Sequence, residues 1–145
     1  MPQTPQTIKN HTRWFPPFHY FVIPIFLLNV LNALRHIYLE PSLHTAWAAL
    51  VAAALMGLAA STRTMVMTVQ DRIIRLEMRL RLMEILPADL RGRIGDITRE
   101  QFVALRFASD GEMADLVRDV LAGNLAKPRA IKERVKSWQG DYLRA

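Results

Sequence analysis

The hydrophobic and polar positions divide this chain into two stretches of different physical kind. Between Phe18 and Ala60 only Arg35 and Glu40 carry a formal charge, whereas charge is dense from Arg63 onward. The apolar stretch holds two runs, at about 18–37 and 43–62, separated by a short polar turn at 38–42. Each run is close to the ~20 residues that a helix needs to cross ~30 Å of hydrocarbon, so the pattern predicts two transmembrane helices. From Trp47 to Ala60 the second run is apolar on all sides, where a soluble amphipathic helix of that length would show a polar face. The long polar lead, the length of the first run and the lack of a small-residue cleavage site after it argue against a cleavable signal peptide.

The edges of the runs fit this reading. Trp14, Phe15, Phe18 and Tyr20 sit where the first helix enters lipid, and Tyr38 and Trp47 near the far ends of the two spans, forming aromatic belts at the headgroup level. Pro16 and Pro17 suit a helix start, where a missing N–H costs nothing. Pro24 lies inside the span, frees a carbonyl one turn earlier and is expected to kink the helix. His19, His36 and His44 lie near the membrane boundaries. A haem or metal shared between chains is one role for them; the commoner role of boundary histidines is that of interfacial polar groups, so no cofactor or metal is expected.

Basic residues set the orientation. Lys9 and Arg13 precede the first span, and Arg63, Arg72, Arg75, Arg79 and Arg81 follow the second. The positive-inside rule then puts both termini in the cytoplasm and the connecting turn outside. The sequon Asn10, His11 and Thr12 has no use at that address. On the second span Ala49, Ala53, Gly57 and Ser61 recur every four residues as a strip of small side chains, which lets helix backbones approach closely. Asn29 and Asn32 on the first span share a face with Ala33 and His36. Unpaired amides are expensive inside a membrane, so they are expected to bond to the second span or to another subunit; lining a polar path is the alternative.

Beyond the spans Val66, Val69, Ile73, Leu76, Leu80 and Met83 alternate spacings of three and four, a helical seam. With Asp71–Arg75 and Glu77–Arg81 as i,i+4 pairs, a continuous helix to about Leu86 is expected. Its seam suits a copy of itself in another chain, although Ile74, Met78 and Leu82 widen the apolar face. The neighbouring arginines offer anionic headgroups as a second partner, and packing on the chain's own tail is a third arrangement. Pro87 closes this helix. Thr98 with Gln101 and Ser109 with Glu112 form two capping boxes, Gly123 stops the apolar set Met113, Leu116, Val117, Val120 and Leu121, and Pro128 opens a last helix with Ile131, Val135, Trp138 and Tyr142 on one stripe. Three tail helices are predicted, at about 99–108, 110–122 and 128–142. They are too small to bury a large core alone.

The formal charge of +6 matches either a nucleic-acid partner or lysine and arginine flanking a membrane segment. Its distribution decides: from Asp96 to the end acids nearly cancel bases, which leaves no footprint for nucleic acid. The chain has no cysteine, which removes disulfide staples, thiolate nucleophiles and Cys-based metal sites. There is no Gly-rich phosphate loop, no His-Glu-x-x-His and no serine in a nucleophile elbow. Asp89, Asp96, Asp110 and Asp115 fall among arginines on caps and exposed faces. An enzyme is not expected.

"KNHTR" at 9–13, "LRFASDGEM" at 105–113 and "KSWQGDY" at 136–142 resemble a family of short bacterial two-span membrane proteins classed as a domain of unknown function. The resemblance covers nearly the whole chain in order, ending on the "WQ.D" element, and implies no activity. Some relatives carry the label of transporter permease subunits; two spans are too few for such a permease, and no coupling-loop signature is visible.

The expected protein is thus an all-α membrane protein: a cytoplasmic lead (1–17), a transmembrane hairpin (18–62), an amphipathic stalk helix (63–86) and a cytoplasmic helical tail (87–145). Its expected function is that of a non-enzymatic inner-membrane interaction or scaffold protein. The lipid bilayer, a second copy or another membrane protein are its expected partners. The alternative is an oligomeric small channel or transporter component with Asn29 and Asn32 on its axis.

Overall fold

The computed structural model describes residues 5–8, 10 and 14–142, and they are all-helical. A π-helical stretch Pro17–Val22 leads into α1 (Ile23–Leu39); α2 (Leu43–Ile85), α3 (Ala88–Arg91), α4 (Arg99–Leu105), α5 (Asp110–Leu121) and α6 (Pro128–Arg134) follow, with a single 3-10 turn at Ile94–Asp96. No strand occurs among the described residues; Ala108 and Trp138 form an isolated antiparallel bridge. The chain forms two compact units, Arg13–Thr68, and Met1–Thr12 with Val69–Arg144. Lys9, Arg13 and Arg144, with His11 and Thr12 of the sequon, lie outside the described residues.

Two helices are long and apolar enough to cross a membrane, Pro17–Leu39 and Leu43–Ile85. Only 6% and 11% of their most apolar windows are buried within the chain, unlike the core helices of a soluble fold. Pro24 has no N–H for the Tyr20 carbonyl, and the backbone just ahead of it is wound wider: the N–H of Ile23 donates to the Phe18 carbonyl, five residues back. A π turn placed so takes up the proline ring without ending the helix. At the start of α2 Ser42 and Thr45 cap each other, Thr45 N donating to Ser42 Oγ (3.1 Å) and Ser42 N to Thr45 Oγ1 (3.0 Å). Farther along, the hydroxyls of Thr64 and Thr68 donate to the carbonyls four residues earlier at 2.9 Å, so neither asks for an outside partner.

In the second unit Ile74, Met78 and Leu82, spaced by four, give α2 one buried face, continued by Leu86 just past its end, in a common core with Phe102, Leu105, Met113, Leu116, Val117 and Ile131. Pro87 is extended (ψ 157°) and ends the long helix. Leu90, Ile94 and Ile97 then enter the same core, through a short helix and a 3-10 turn that the spacing alone does not announce. Thr98 and Gln101 cap α4 reciprocally, Thr98 N to Gln101 Oε1 at 2.8 Å and Gln101 N to Thr98 Oγ1 at 3.3 Å. Gly123, at φ +81°, closes α5 in a Schellman arrangement: Asn124 N donates to Asp119 O (3.0 Å) and Gly123 N to Val120 O (3.1 Å). That left-handed conformation suits glycine. Pro128 occupies the first turn of α6.

Two predicted helices are shorter than expected. α4 ends at Leu105, three residues before the expected 108, and α6 ends at Arg134, not near 142. Contacts with the segment 107–112 end α6. The N–H groups of Lys136 and Ser137, which would continue α6, donate to the Glu112 carboxylate at 2.9 and 3.1 Å. Gln139 N donates to Phe107 O at 2.7 Å, and Trp138 stacks on Phe107 with ring centroids 4.5 Å apart at 17°. A charged acceptor and an aromatic stack outbid one further helical turn.

Candidate interaction surfaces

The second half of α2 carries two apolar stripes of opposite fate. Ile74, Met78, Leu82 and Leu86 are buried under the tail, whereas every member of the seam at Val66, Val69, Ile73, Leu76, Leu80 and Met83 is exposed, by 41% to 61%. An open groove of about 520 Å³ runs along this exposed side, lined by Val69, Arg72, Ile73, Arg75, Leu76 and Arg79. Large apolar side chains in one continuous exposed row make this side a candidate interaction surface. The tail is folded onto one side of the helix and leaves the other uncovered.

The charged side chains follow the same division, which corrects the expected i,i+4 pairs. Asp71 lies 3.9 Å from Arg99 rather than against Arg75. Arg81 turns to the tail instead of Glu77: its guanidinium meets Asp110 at 2.6 Å, donates to Ala108 O at 2.7 Å and to Gln139 Oε1 at 2.9 Å. Tertiary partners with fixed geometry displaced a helix-surface pair that is worth little in water. Arg72, Arg75, Glu77 and Glu84 have no ion pair among the described residues.

Arg81 belongs to a polar latch that joins the two tail motifs. Arg106 pairs with Asp141 at 3.1 Å and lies over the Phe107 ring, 4.4 Å from its centroid; Phe107 is stacked on Trp138. Glu112 accepts from Ser109 N at 3.2 Å as well as from Lys136 and Ser137. Partial burial works against its charge, but the backbone donors of Lys136, Ser109 and Ser137 and the Ser109 hydroxyl prevail, holding its carboxyl below the ordinary glutamate range. Gln6 and Asp141 exchange two hydrogen bonds, Gln6 Nε2 to Asp141 O (2.9 Å) and Asp141 N to Gln6 Oε1 (3.0 Å). "LRFASDGEM" and "KSWQGDY", far apart in sequence, are thus one structural joint. Neither element announces on its own that it bonds to the other; the acid at the third position of the α5 cap is the available signal.

On the spans the sequence-predicted residues do not meet one another within the chain. Ala52 and Ala59 are the buried residues of α2 there, and Ala33 that of α1. Of the small-residue strip, Ala49 is half-buried, and Ala53, Gly57 and Ser61 are exposed. A Cβ added at Gly57 meets nothing within 4 Å. Asn29 and Asn32 are exposed and their amides bond to no described residue, so of the two expected partners, the second span or another subunit, the first is not met within the chain. Nδ1 of His19 lies 3.0 Å from Phe15 O and 3.2 Å from Phe15 N, with its ring against Trp14 at 4.7 Å. His36 and His44 are exposed.

A model built for a family of unknown function matches residues 1–145. The chain belongs to that family, DUF6526. Its span from the first residue to the last places the helices apolar enough to cross a membrane and the joined motifs inside the DUF6526 unit. No curated protein and no solved structure matches the chain.

Proposed function

We infer that this DUF6526 protein is a non-enzymatic scaffold of the bacterial inner membrane. It crosses the bilayer twice as a hairpin, keeps both termini in the cytoplasm, self-associates, and carries a helical module below the membrane on its second helix. The supporting observation is the division of α2: the tail covers Ile74, Met78, Leu82 and Leu86 and leaves Val69, Ile73, Leu76, Leu80 and Met83 uncovered. A module that needed only its own core would have no use for the second stripe. At 43 residues the helix measures about 64 Å at 1.5 Å per residue, roughly twice the hydrocarbon thickness. Gln6 and Asp141 meet in one unit, as termini on the same side of a membrane require. The test is co-purification of two differently tagged copies from their native membrane. Recovery of both tags on either resin supports self-association, and clean separation of the tags refutes it.

A second reading rests on Asn29 and Asn32. Two exposed amides without hydrogen-bond partners among the described residues, three positions apart on a membrane-spanning helix, are costly facing lipid. Turned to the axis of an oligomer, they give a polar path. Two spans per chain do not enclose a pore, so this reading also requires self-association.

A further inference from the structure

From Val69 to Glu84, the uncovered side of α2 follows a heptad rhythm with Ile73 and Leu80 at one core position and Val69, Leu76 and Met83 at the other. Flanking positions then fall into two classes. On one edge stand Gln70, Glu77 and Glu84; on the other stand Arg72 and Arg79. Arg72, Glu77 and Glu84 are exposed and have no ion pair among the described residues, and Arg79 Nε is buried with no hydrogen-bond partner among them, its guanidinium 6.0 Å from the Phe102 centroid. Asp71 and Arg81, which lie off this face, are spent on the tail. Arg72, Glu77 and Glu84 at the edges of the uncovered seam are left without an ion pair, as is Arg75 beside them.

Their order along the helix separates the two ways of pairing it with a copy. In a parallel two-stranded coil, one edge faces the opposite edge of the partner five residues farther on, which sets Arg72 against the copy's residue 77 and Arg79 against its residue 84, both glutamates. In an antiparallel coil each edge faces itself, arginine row on arginine row and glutamate row on glutamate row. We propose that residues 69–84 form a parallel, in-register, two-stranded coiled coil with a second copy of this chain, its direction set by Arg72 with Glu77 and Arg79 with Glu84 across the interface. This rests on the self-associating membrane reading, in which two copies inserted the same way present their helices in parallel. The groove of about 520 Å³ beside Val69, Ile73 and Leu76 is the space that the facing knobs fill. Ile73 at the first core position with Leu76 at the second is the combination that favours two strands; Leu80, Val69 and Met83 do not add to that preference.

The absence of native cysteine makes the test direct. Single cysteines replace Val69, Ile73, Leu76 or Leu80 in the full chain in native membranes, with Thr68→Cys as the exposed position off the seam, under mild oxidation. The proposal expects disulfide-linked dimers at the four seam positions and about tenfold less at Thr68. Arg72→Glu and Glu77→Arg each weaken homodimers about tenfold, since two attractive contacts per dimer become repulsive. Mixed together, differently tagged Arg72→Glu and Glu77→Arg chains pair preferentially with each other, which a merely unfolded variant does not do. Equal crosslinking at Thr68 and the seam, or no preference between the charge-reversed chains, overturns the proposal. If tagged wild-type copies still co-purify while the seam cysteines stay unlinked, the coil fails and self-association stands; if the copies separate as well, both fail.

Discussion

Leu80 and Leu82 stand two residues apart on one helix and have opposite surroundings: Leu82 is fully buried, and Leu80 is 60% exposed. Two residues turn a helix by about 200°, so these leucines mark its two working sides, one holding the tail and the other facing outward. Leu82→Ala should destabilise the tail by about 3 kcal/mol through lost burial and the cavity left behind, read as earlier thermal unfolding in detergent and faster cleavage beyond Pro87. Leu80→Ala should leave both unchanged within about 0.5 kcal/mol while lowering the yield of co-purified copies. Equal effects of the two substitutions on tail stability would mean that the helix does not have two sides.

Gly57→Leu separates assembly from folding in the membrane. A Cβ at that position meets nothing within 4 Å in the chain, so the substitution should leave the chain's own fold intact. If small residues let helices of neighbouring copies approach, crosslinked oligomers should fall severalfold. Unchanged oligomers would remove the strip from the interface.

Glu112 predicts an acid response of the tail. Its folded carboxyl titrates below the ordinary glutamate range because backbone N–H donors outweigh its burial. A lowered folded value means that the unfolded chain binds the proton first as pH falls. The stabilisation is therefore full above the unfolded value near pH 4.3 and is lost as pH falls through the folded one. Glu112→Gln should lose about 2 kcal/mol at pH 7, the cost of weakening several backbone donors' bonds to a charged acceptor, and the gap between wild type and variant should shrink on acidification to below pH 4. Melting temperatures of both proteins at neutral and acid pH check this; a gap that stays constant would mean that the carboxylate charge is not what holds Lys136 and Ser137.

Asn32→Leu bears on the channel reading. If Asn29 and Asn32 face the axis of an oligomer, ion flux through reconstituted vesicles should drop about tenfold on losing the amide. Flux indistinguishable between wild type and variant would leave these amides to subunit packing.

Much of this fold was legible along the chain because its signals are local. The two apolar runs, the Thr98–Gln101 cap, Gly123 as a helix stop and Pro128 as a helix start all act within a few residues of themselves. The end of α6 was not legible: Glu112 captures the N–H groups of Lys136 and Ser137 across 24 and 25 positions, which no periodicity within 128–142 encodes. The same holds for Arg81, whose local partner Glu77 lost to Asp110, 29 positions on. The seam was visible as a three-four pattern, and so was the second stripe at Ile74, Met78 and Leu82. Which of the two the tail would occupy depended on the shape of the tail core and was not written in the spacing.

Self-association is tested most directly by native mass spectrometry of the protein extracted gently from its own membrane, with an absorption spectrum taken on the same sample. A colourless homo-oligomer that dissociates into full-length chains of one mass is the expected result. A monomer, or a stoichiometric complex with a different protein or a haem band, would contradict it.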